Sequence, residues 1–341
     1  MISLNKIQEK KDWIVPDVSF KIPLTQAWFY GDIQKKTGRN VIRFLIKKNN
    51  NNIGFVQFIE YSLFQKKVYW YAPYGPLFWD VVSQEELYLF KESIKKILCT
   101  DCVFVRLDPS PLLSGPQEKK WKKAFGNVAL SSYKGAYFQP RLEWYTDIQG
   151  SDESILSHMH QKTRYSVRLA EKRGVAISII KKDFDTALAD FLVLMKITSE
   201  RNNFSLHNDV YYANFFQSLE EDQNGFIIEA RYKGLLLASH CIVIVSGVAH
   251  YVFGASSNIH RDVCAPYLLH FRAMQESRAQ GACFYNFGAI AEEGGAEWQT
   301  LSVFKKKFGG KKFRHDSFFD VVVHPLWYYI YILRKFIKHI L

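Results

Sequence analysis

The sequence lacks the patterns that mark several common kinds of site. Its five cysteines include one C-x-x-C, Cys99 with Cys102, and no second pair completes a zinc set. The ten histidines form no H-E-x-x-H motif, and no G-x-S-x-G nucleophile elbow occurs. No stretch reaches the roughly 18 apolar residues that a membrane-spanning helix needs, and no signal peptide is recognisable. We therefore expect no metal site, reduced thiols and a cytoplasmic protein, with a peripheral place at the membrane left open.

What the sequence has in plenty is positive charge and aromatic side chains. The 341 residues carry a formal net charge of +12, and 16% of them are aromatic. A basic surface favours polyanionic partners, namely nucleic acid, anionic lipid or phosphorylated substrates, and charge alone does not choose among them. The length predicts two compact domains.

The pattern of predicted elements occurs twice, which indicates two α+β domains. In the first half, strands are predicted over 41–46, 55–61 and 103–107, helices over 26–36 and 84–99, and a crossing strand over 142–145. In the second half, helices are predicted over 153–173, 184–201, 209–219 and 266–280, with strands over 175–180, 226–230, 235–245, 249–253 and 283–287. No sequence repeat accompanies this symmetry.

Residues 281–310 combine a short strand, a Gly-rich turn over 288–295, and a helix that ends in three consecutive lysines and a double glycine. A strand that opens into a flexible loop and a basic helix is a plausible seat for an anionic group. The spacing fits an ordinary strand, loop and helix with solvated lysines equally well.

Two predicted helices carry basic faces. On helix 153–173, Arg164, Arg168 and Lys172 recur one turn apart, opposite an apolar face, which suits phosphate contacts or simple solvation. The terminal segment 325–341 places Leu326, Leu333 and further aliphatic residues on one face; an arginine and two lysines lie away from that face, with aromatic residues beside them. Such a helix fits either packing on the first domain or a membrane interface.

Three blocks of the chain resemble the Fem family (FemA, FemB, FemX and their relatives). They are YNFG followed by W…L…FKKKFGG within 281–310, MHQKTRYSVRLAEKRGV at 159–175, and Gln26-Ala27-Trp28 with Gly31 and Gly38. The resemblance implies two tandem GNAT-like (acyl-CoA N-acyltransferase) domains with mixed sheets. We assign them to residues 1–150, completed by a returning segment 315–341, and to residues 151–314.

The resemblance implies an aminoacyltransferase that moves an amino acid from aminoacyl-tRNA to the stem-peptide amine of lipid II or UDP-MurNAc-pentapeptide, building an interpeptide bridge. The aminoacyl-tRNA is a co-substrate, so no cofactor is expected. Acetyl-CoA fits poorly, because no Q-x-x-G-x-G/A spacing follows the strand that ends at Phe253, and Pro266 removes one backbone N–H. The alternatives are an acyltransferase with another activated donor, or a non-catalytic module that binds nucleic acid or lipid headgroups. A monomer is expected.

The resemblance also assigns roles to individual residues. It implies that Lys305 stabilises the oxyanion and that Asp108 is an acidic site near the acceptor, although Asp108 also fits a turn before Pro109. The remaining assignments are substrate contacts by Lys36 (or Lys35), Arg201, Tyr251 and Phe304, and tRNA contacts by Arg164, Arg168, Lys172, Lys306 and Lys307. Arg201 fits a helix end and Tyr251 fits core packing equally well. A tyrosine expected shortly after Arg201 is absent, since Phe204 and Ser205 stand there.

Overall fold

The computed structural model describes residues 2–13, 22–98, 101–109, 116–126, 139–291, 299–314 and 318–340. The chain divides into two compact units, Met1–Arg141 with His315–Leu341, and Leu142–Arg314. Cys99 and residues 292–298, which form part of the predicted Gly-rich turn, lie outside the described residues.

Both units combine helices with a mixed sheet, as predicted. The described strands are β1 (Ile2–Ile7), β2 (Val41–Lys48), β3 (Asn51–Ser62), β4 (Val68–Ala72), β5 (Leu77–Phe78), β6 (Cys102–Leu107), β7 (Leu142–Asp147), β8 (Ala176–Ile180), β9 (Gly225–Tyr232), β10 (Leu235–Val245), β11 (Val248–Ser256), β12 (Phe284–Ala289), β13 (Lys311–Arg314) and β14 (Phe319–Val322). The described α-helices are α1 (Trp28–Lys36), α2 (Gln84–Ile97), α3 (Pro116–Phe125), α4 (Asp152–His158), α5 (Gln161–Lys172), α6 (Asp185–Asn202), α7 (Asp209–Asp222), α8 (Ala265–Ala279), α9 (Gln299–Lys306) and α10 (Pro325–Ile340).

The two sheets share one topology. In the first unit the strand order is β1-β2-β3-β4-β6-β14, with β5 beside β3. In the second it is β8-β9-β10-β11-β12-β7, with β13 beyond β7. Among the described strands, each sheet contains one parallel pair, β4 with β6 or β11 with β12, and a helix (α2 or α8) lies between the paired strands in sequence. The topology therefore supplies the symmetry that the sequence shows only as a repeated pattern of elements.

The sixth strand of each sheet is far in sequence from the strand with which it pairs. β14 runs antiparallel to β6, pairing Phe319 with Leu107, so the C-terminal segment returns to the first unit as predicted. β7 pairs with β12 and β13 in the second sheet. Residues 142–150, which the sequence interpretation placed in the first domain, thus belong to the second unit. Alternation within a strand does not reveal its partner, which is why the boundary was misplaced.

Helices cover both faces of the first sheet, and side chains along each strand alternate between the two faces. On β4, Trp70 and Ala72 contribute to the core that α2 and α3 cover. Tyr69 and Tyr71 point to the other face, where they pack with Tyr328 and other residues of α10. In the second unit, the main core gathers α5, α8 and the inner face of β9–β12.

The helix predicted over 153–173 is two helices, α4 and α5. Met159 is extended, with ψ of 151°, and His160 leaves the helical path. The His160 N–H donates to Lys307 O at 2.8 Å, and its Nδ1 accepts from the Lys162 N–H at 3.2 Å. The break is thus fixed by a contact with the end of α9, which helical spacing does not reveal.

The terminal helix α10 packs through aromatic residues. Tyr328 and Tyr331 are buried, with ring centroids 5.3 Å and 4.9 Å from that of Phe104. Leu326 and Leu333, on the aliphatic face, are 71% and 58% exposed. The helix therefore packs on the first unit, but not by its aliphatic face. Within the described ranges, no helix is both long and apolar enough to cross a bilayer.

Candidate active site

The candidate site lies where α9 meets the end of β12. Lys305 is 5% exposed, and its Nζ donates a hydrogen bond to Ala289 O at 2.7 Å. One turn earlier, Ser302 Oγ accepts from the Ala291 N–H at 2.7 Å. These two contacts tie the helix to the strand end and aim the Lys305 ammonium inward, away from bulk water.

The double glycine after the lysines lets the helix end close to β7. Gly309 and Gly310 have φ of +81° and +106°, in the region that disfavours a side chain. A Cβ on Gly310 would lie 2.1 Å from Tyr145 O. Trp144 Nε1 and Thr146 Oγ1 both donate to Gly309 O, at 2.7 Å and 2.8 Å. The FKKKFGG block is therefore a close-packed helix end, which positions Lys305.

A buried polar network approaches the same strand end from β7 and β11. Glu143 is 8% exposed and pairs in register with Ala289, the residue that accepts from Lys305. Asn286 Nδ2 donates to Glu143 Oε1 at 3.1 Å and lies 3.4 Å from His250 Nδ1. Asn286 Oδ1 accepts from the Gly288 N–H at 2.7 Å, which bends the strand end. The YNFG block thus shapes this corner.

Burial sets the charges of this corner. It lowers the pKa of Lys305 to about 8, and the negative charge of Glu143 opposes that fall. Burial also lowers the pKa of His250 to about 4, again opposed by Glu143, so that imidazole is neutral at neutral pH. Lys305 is thus a mostly protonated cation in a low-dielectric setting, where its N–H groups form strong hydrogen bonds.

An aromatic cluster around His270 forms the wall next to Lys305. The ring of His270 lies 4.7 Å from that of Tyr251 and 5.6 Å from that of Phe304. Burial, with His240 and Lys305 nearby, keeps the pKa of His270 well below its ordinary value, and burial lowers that of His240 to about 3. The histidines are therefore neutral packing partners, and no group of potential metal ligands occurs among the described residues. Lys305, Phe304 and Tyr251 thus all lie around His270.

The guanidinium of Arg201 forms hydrogen bonds with a turn of its own unit. Its guanidinium donates to Ser256 O at 2.9 Å, to Ser256 Oγ at 3.0 Å and to Asn258 Oδ1 at 2.6 Å. Burial, with the charge of Arg261 nearby, lowers its pKa. These bonds hold the turn after β11, so any phosphate contact would share the guanidinium with that turn.

The predicted tRNA-binding cations separate into two kinds. Arg164 donates to Met159 O and to Ser157 O, so it caps the carbonyls at the end of α4. Arg168 and Lys172 are exposed on α5. Lys306 is exposed and Lys307 half-buried, in contrast to Lys305 beside them. The surface cations stay available to a polyanion, whereas Arg164 has a structural task.

Asp108 and Lys36 lie in the first unit. Asp108 is 4% exposed directly after β6, and its Oδ2 accepts from Tyr71 OH at 2.8 Å. Its N–H donates to Ala72 O and Gly75 O, at 3.2 Å and 3.1 Å. The backbone N–H of Asp108 is therefore held by carbonyls at the end of β4 and in the loop after it, and its carboxylate is held by a buried phenol. Lys36 is exposed at the last position of α1.

The sequence model of the FemAB family matches residues 21–230 and 222–335. The chain belongs to the FemAB family. The lipid II:glycine glycyltransferase of Staphylococcus aureus strain USA300 is 23% identical to it over 322 residues, which cover 73% of this chain and 76% of that enzyme. The recognition of the family and of an aminoacyltransferase-type enzyme is thereby confirmed.

Solved structures confirm the fold of this FemAB protein. The crystal structure of FemX superposes with a TM-score of 0.84 at 20% identity, covering 96% of this chain and 99% of that one. A tandem GNAT protein from the clavulanic acid biosynthesis pathway superposes with a TM-score of 0.51 at 10% identity, covering 84% of each chain. The predicted α+β architecture of two GNAT-like domains is therefore correct.

Sequence reasoning missed Glu143, Asn286 and His250 as members of the site of this FemAB protein. Asn286 stands inside the YNFG block, but its partner Glu143 lies 143 positions earlier. A lone glutamate on an amphipathic strand carries no signal of its own. The importance of Glu143 becomes visible only when β7 is seen to pair with β12, the strand of the YNFG block.

Proposed function

We propose that this FemAB protein transfers an amino acid from an aminoacyl-tRNA to the stem-peptide amine of a peptidoglycan precursor, building an interpeptide bridge. The name of its staphylococcal relative supports a precursor such as lipid II as the acceptor, with the UDP-linked pentapeptide as the soluble counterpart. The observation that carries the proposal is the buried ammonium of Lys305, aimed by Ala289 O at the end of β12.

The reaction asks for stabilisation of a developing negative charge. The acceptor amine attacks the ester carbonyl carbon, a C–N bond forms, the C–O bond to the tRNA ribose breaks, and the proton lost by the amine ends on the ribose oxygen. An ammonium has three N–H donors, and Ala289 O takes one of them. Lys305 donates to the carbonyl oxygen as it becomes an oxyanion, which is strongest in a site shielded from water.

The pKa of Lys305 suits a second task. A lysine whose pKa is lowered to about 8 gives up a proton near neutral pH far more readily than an ordinary lysine does. It therefore protonates the departing ribose oxygen and recovers its proton from the attacking amine. Glu143 keeps enough positive charge on Lys305 for the oxyanion role, since its charge raises the pKa of the lysine.

The other predicted residues take supporting roles. Phe304 offers an aromatic ring to the terminal base of the tRNA, next to Lys305, and the exposed Arg168, Lys172 and Lys306 meet its phosphates. On the precursor side, Tyr251, Arg201 and Lys36 contact the substrate, and Asp108 is the acidic group near the acceptor amine. The protein acts as a monomer.

The test is a transfer assay with purified protein and tRNAs charged with labelled glycine, alanine or serine. The acceptors are lipid II and UDP-MurNAc-pentapeptide, offered separately. Label should reach a precursor with the wild type and with Lys196→Met, an exposed lysine on α6, but not with Lys305→Met. No transfer from any charged tRNA, while the folded protein still binds RNA in a salt-sensitive manner, would replace the proposal with a binding module. If a different activated acyl donor supports transfer, that donor would take the place of the charged tRNA in the proposal.

A further inference from the structure

α10 carries a row of exposed apolar side chains along one face. Leu326 and Tyr329 are each 71% exposed, Leu333 is 58% exposed and Ile337 is 48% exposed. Their spacing of three, four and four positions keeps all four within one stripe of an α-helix. We call these four residues the α10 stripe. Scattered exposed apolar residues need no explanation, but four in one line do.

The opposite face of α10 fixes the helix to the first unit. Tyr328 and Tyr331 are buried against Phe104, and Tyr328 OH donates to Asp320 Oδ2 at 2.8 Å. Asp320 in turn forms a buried ion pair with Arg106 at 2.6 Å. The helix is therefore held rigidly by its aromatic side, and the α10 stripe takes no part in that packing.

Arg334 directly follows Leu333 of the stripe, and α10 carries no negatively charged side chain. Residues 321–341 contain no aspartate or glutamate, whereas α10 contains an arginine and two lysines. Arg334 is exposed and its guanidinium lies 4.7 Å above the ring of Phe64. Phe64 also contacts Trp327, at 5.6 Å, so the turn that carries the exposed Lys66 packs beside the same helix.

The exposed apolar side chains and the positive charge of α10 together indicate which kind of partner could cover the stripe. A polyanion such as RNA would engage the cations but leave the leucines in water. A second copy of the chain would bury the leucines but bring two acid-free, basic helices face to face, which like charges oppose. An anionic bilayer satisfies both features, because leucine and tyrosine enter the headgroup boundary while arginine and lysine meet lipid phosphates.

We propose that α10 seats this protein on an anionic bilayer, with the α10 stripe immersed in the interface and the helix lying in the membrane plane. Attachment through one face of a single helix is peripheral and reversible. This inference rests on the exposure and charge of α10, and it stands whether or not the chain transfers an amino acid.

The experiment is vesicle co-sedimentation of the full chain. The vesicles contain either phosphatidylcholine alone or phosphatidylcholine and phosphatidylglycerol in equal parts. The test variant is Leu326→Gln with Tyr329→Gln and Leu333→Gln. The matched control replaces Val81, Val193 and Val210, which are 75%, 61% and 64% exposed at other places, by glutamine. A thermal melt of each variant checks that the buried face of α10 still packs.

The expected result is binding to the anionic vesicles, weakened by added salt, with much less binding to phosphatidylcholine alone. The test variant should lose about tenfold or more in affinity for the anionic vesicles, and the control variant should bind like the wild type. Equal binding to both vesicles, no binding to either, or undiminished binding by the test variant would each overturn the proposal. So would a dimer in analytical ultracentrifugation that the test variant abolishes, because the stripe would then cover a second copy.

Discussion

Replacing Lys305 by methionine should make the protein more stable while abolishing its activity. The pKa of Lys305 is lowered from the ordinary 10.5 to about 8 by burial. At 1.36 kcal/mol for each pH unit, holding this ammonium in the fold costs about 3 kcal/mol at neutral pH. Methionine keeps most of the apolar stem but leaves Ala289 O without this donor, at a cost of about 1 kcal/mol. We expect a net gain of about 2 kcal/mol in the free energy of unfolding.

The gain should depend on pH in a defined direction. Because the folded-state pKa of Lys305 lies below its unfolded value, the unfolded wild type binds more protons than the folded wild type between about pH 8 and pH 10.5. The stability of the wild type therefore rises through that window, relative to Lys305→Met, which lacks the group. The full advantage of the variant is present below about pH 8. Above about pH 10.5 the cost of the buried charge is gone, and the variant should be about 1 kcal/mol less stable than the wild type because it still lacks the hydrogen bond to Ala289 O.

The measurement is urea unfolding of the wild type and Lys305→Met at neutral pH and near the upper end of that window. Lys196→Met serves as the control, since this lysine is exposed and its removal should change stability little at either pH. A variant that is less stable than the wild type at neutral pH, or an advantage that does not change with pH, would refute the account of Lys305 as a strained buried cation.

Two further predictions test the surroundings of Lys305. Glu143→Gln removes the charge that raises the pKa of Lys305, so the ionisation of that lysine in a plot of kcat/KM against pH should move to lower pH; an unmoved profile would exclude the coupling. Gly310→Ala should destabilise the second unit by more than about 3 kcal/mol, because the new Cβ would lie 2.1 Å from Tyr145 O at a positive φ. Gly281→Ala, at a similar φ with nothing within 4 Å, should cost only about 1 kcal/mol, and equal losses in thermal or urea unfolding would contradict this reading.

The sequence allowed the class of fold to be predicted because helix and strand periodicity is local. The helices 184–201 and 266–280, and the strands 226–230 and 235–245, appear in the structure within a few positions of their predicted ends. The return of the C-terminal segment came from the resemblance to the Fem family, and the pairing of Phe319 with Leu107 confirms it.

What escaped prediction depends on contacts between distant parts of the chain. The break at His160 is made by Lys307 O, and the placement of β7 is decided by its partner β12. The sequence pattern pointed to the aliphatic face of α10, but Tyr328 and Tyr331 are the residues that pack against Phe104. Local sequence periodicity does not reveal any of these contacts.

The candidate site was predicted in part. Lys305, Phe304 and Tyr251 do gather at one corner, and their roles stay predictions. Glu143 was not singled out, because its importance comes from a hydrogen bond to Asn286, far along the chain. Resemblance names the residues of a motif, whereas the partners that tune them become visible only in the fold.

The central claim is that Lys305 acts on the reacting ester and does not merely hold the RNA. Single-turnover transfer at saturating charged tRNA and precursor, measured alongside the Kd for that tRNA, separates the two roles. We predict that Lys305→Met slows the transfer step by about a hundredfold or more while the Kd stays within about threefold of the wild type. A large loss of tRNA affinity with an unchanged saturated rate would contradict the claim and make Lys305 a binding residue.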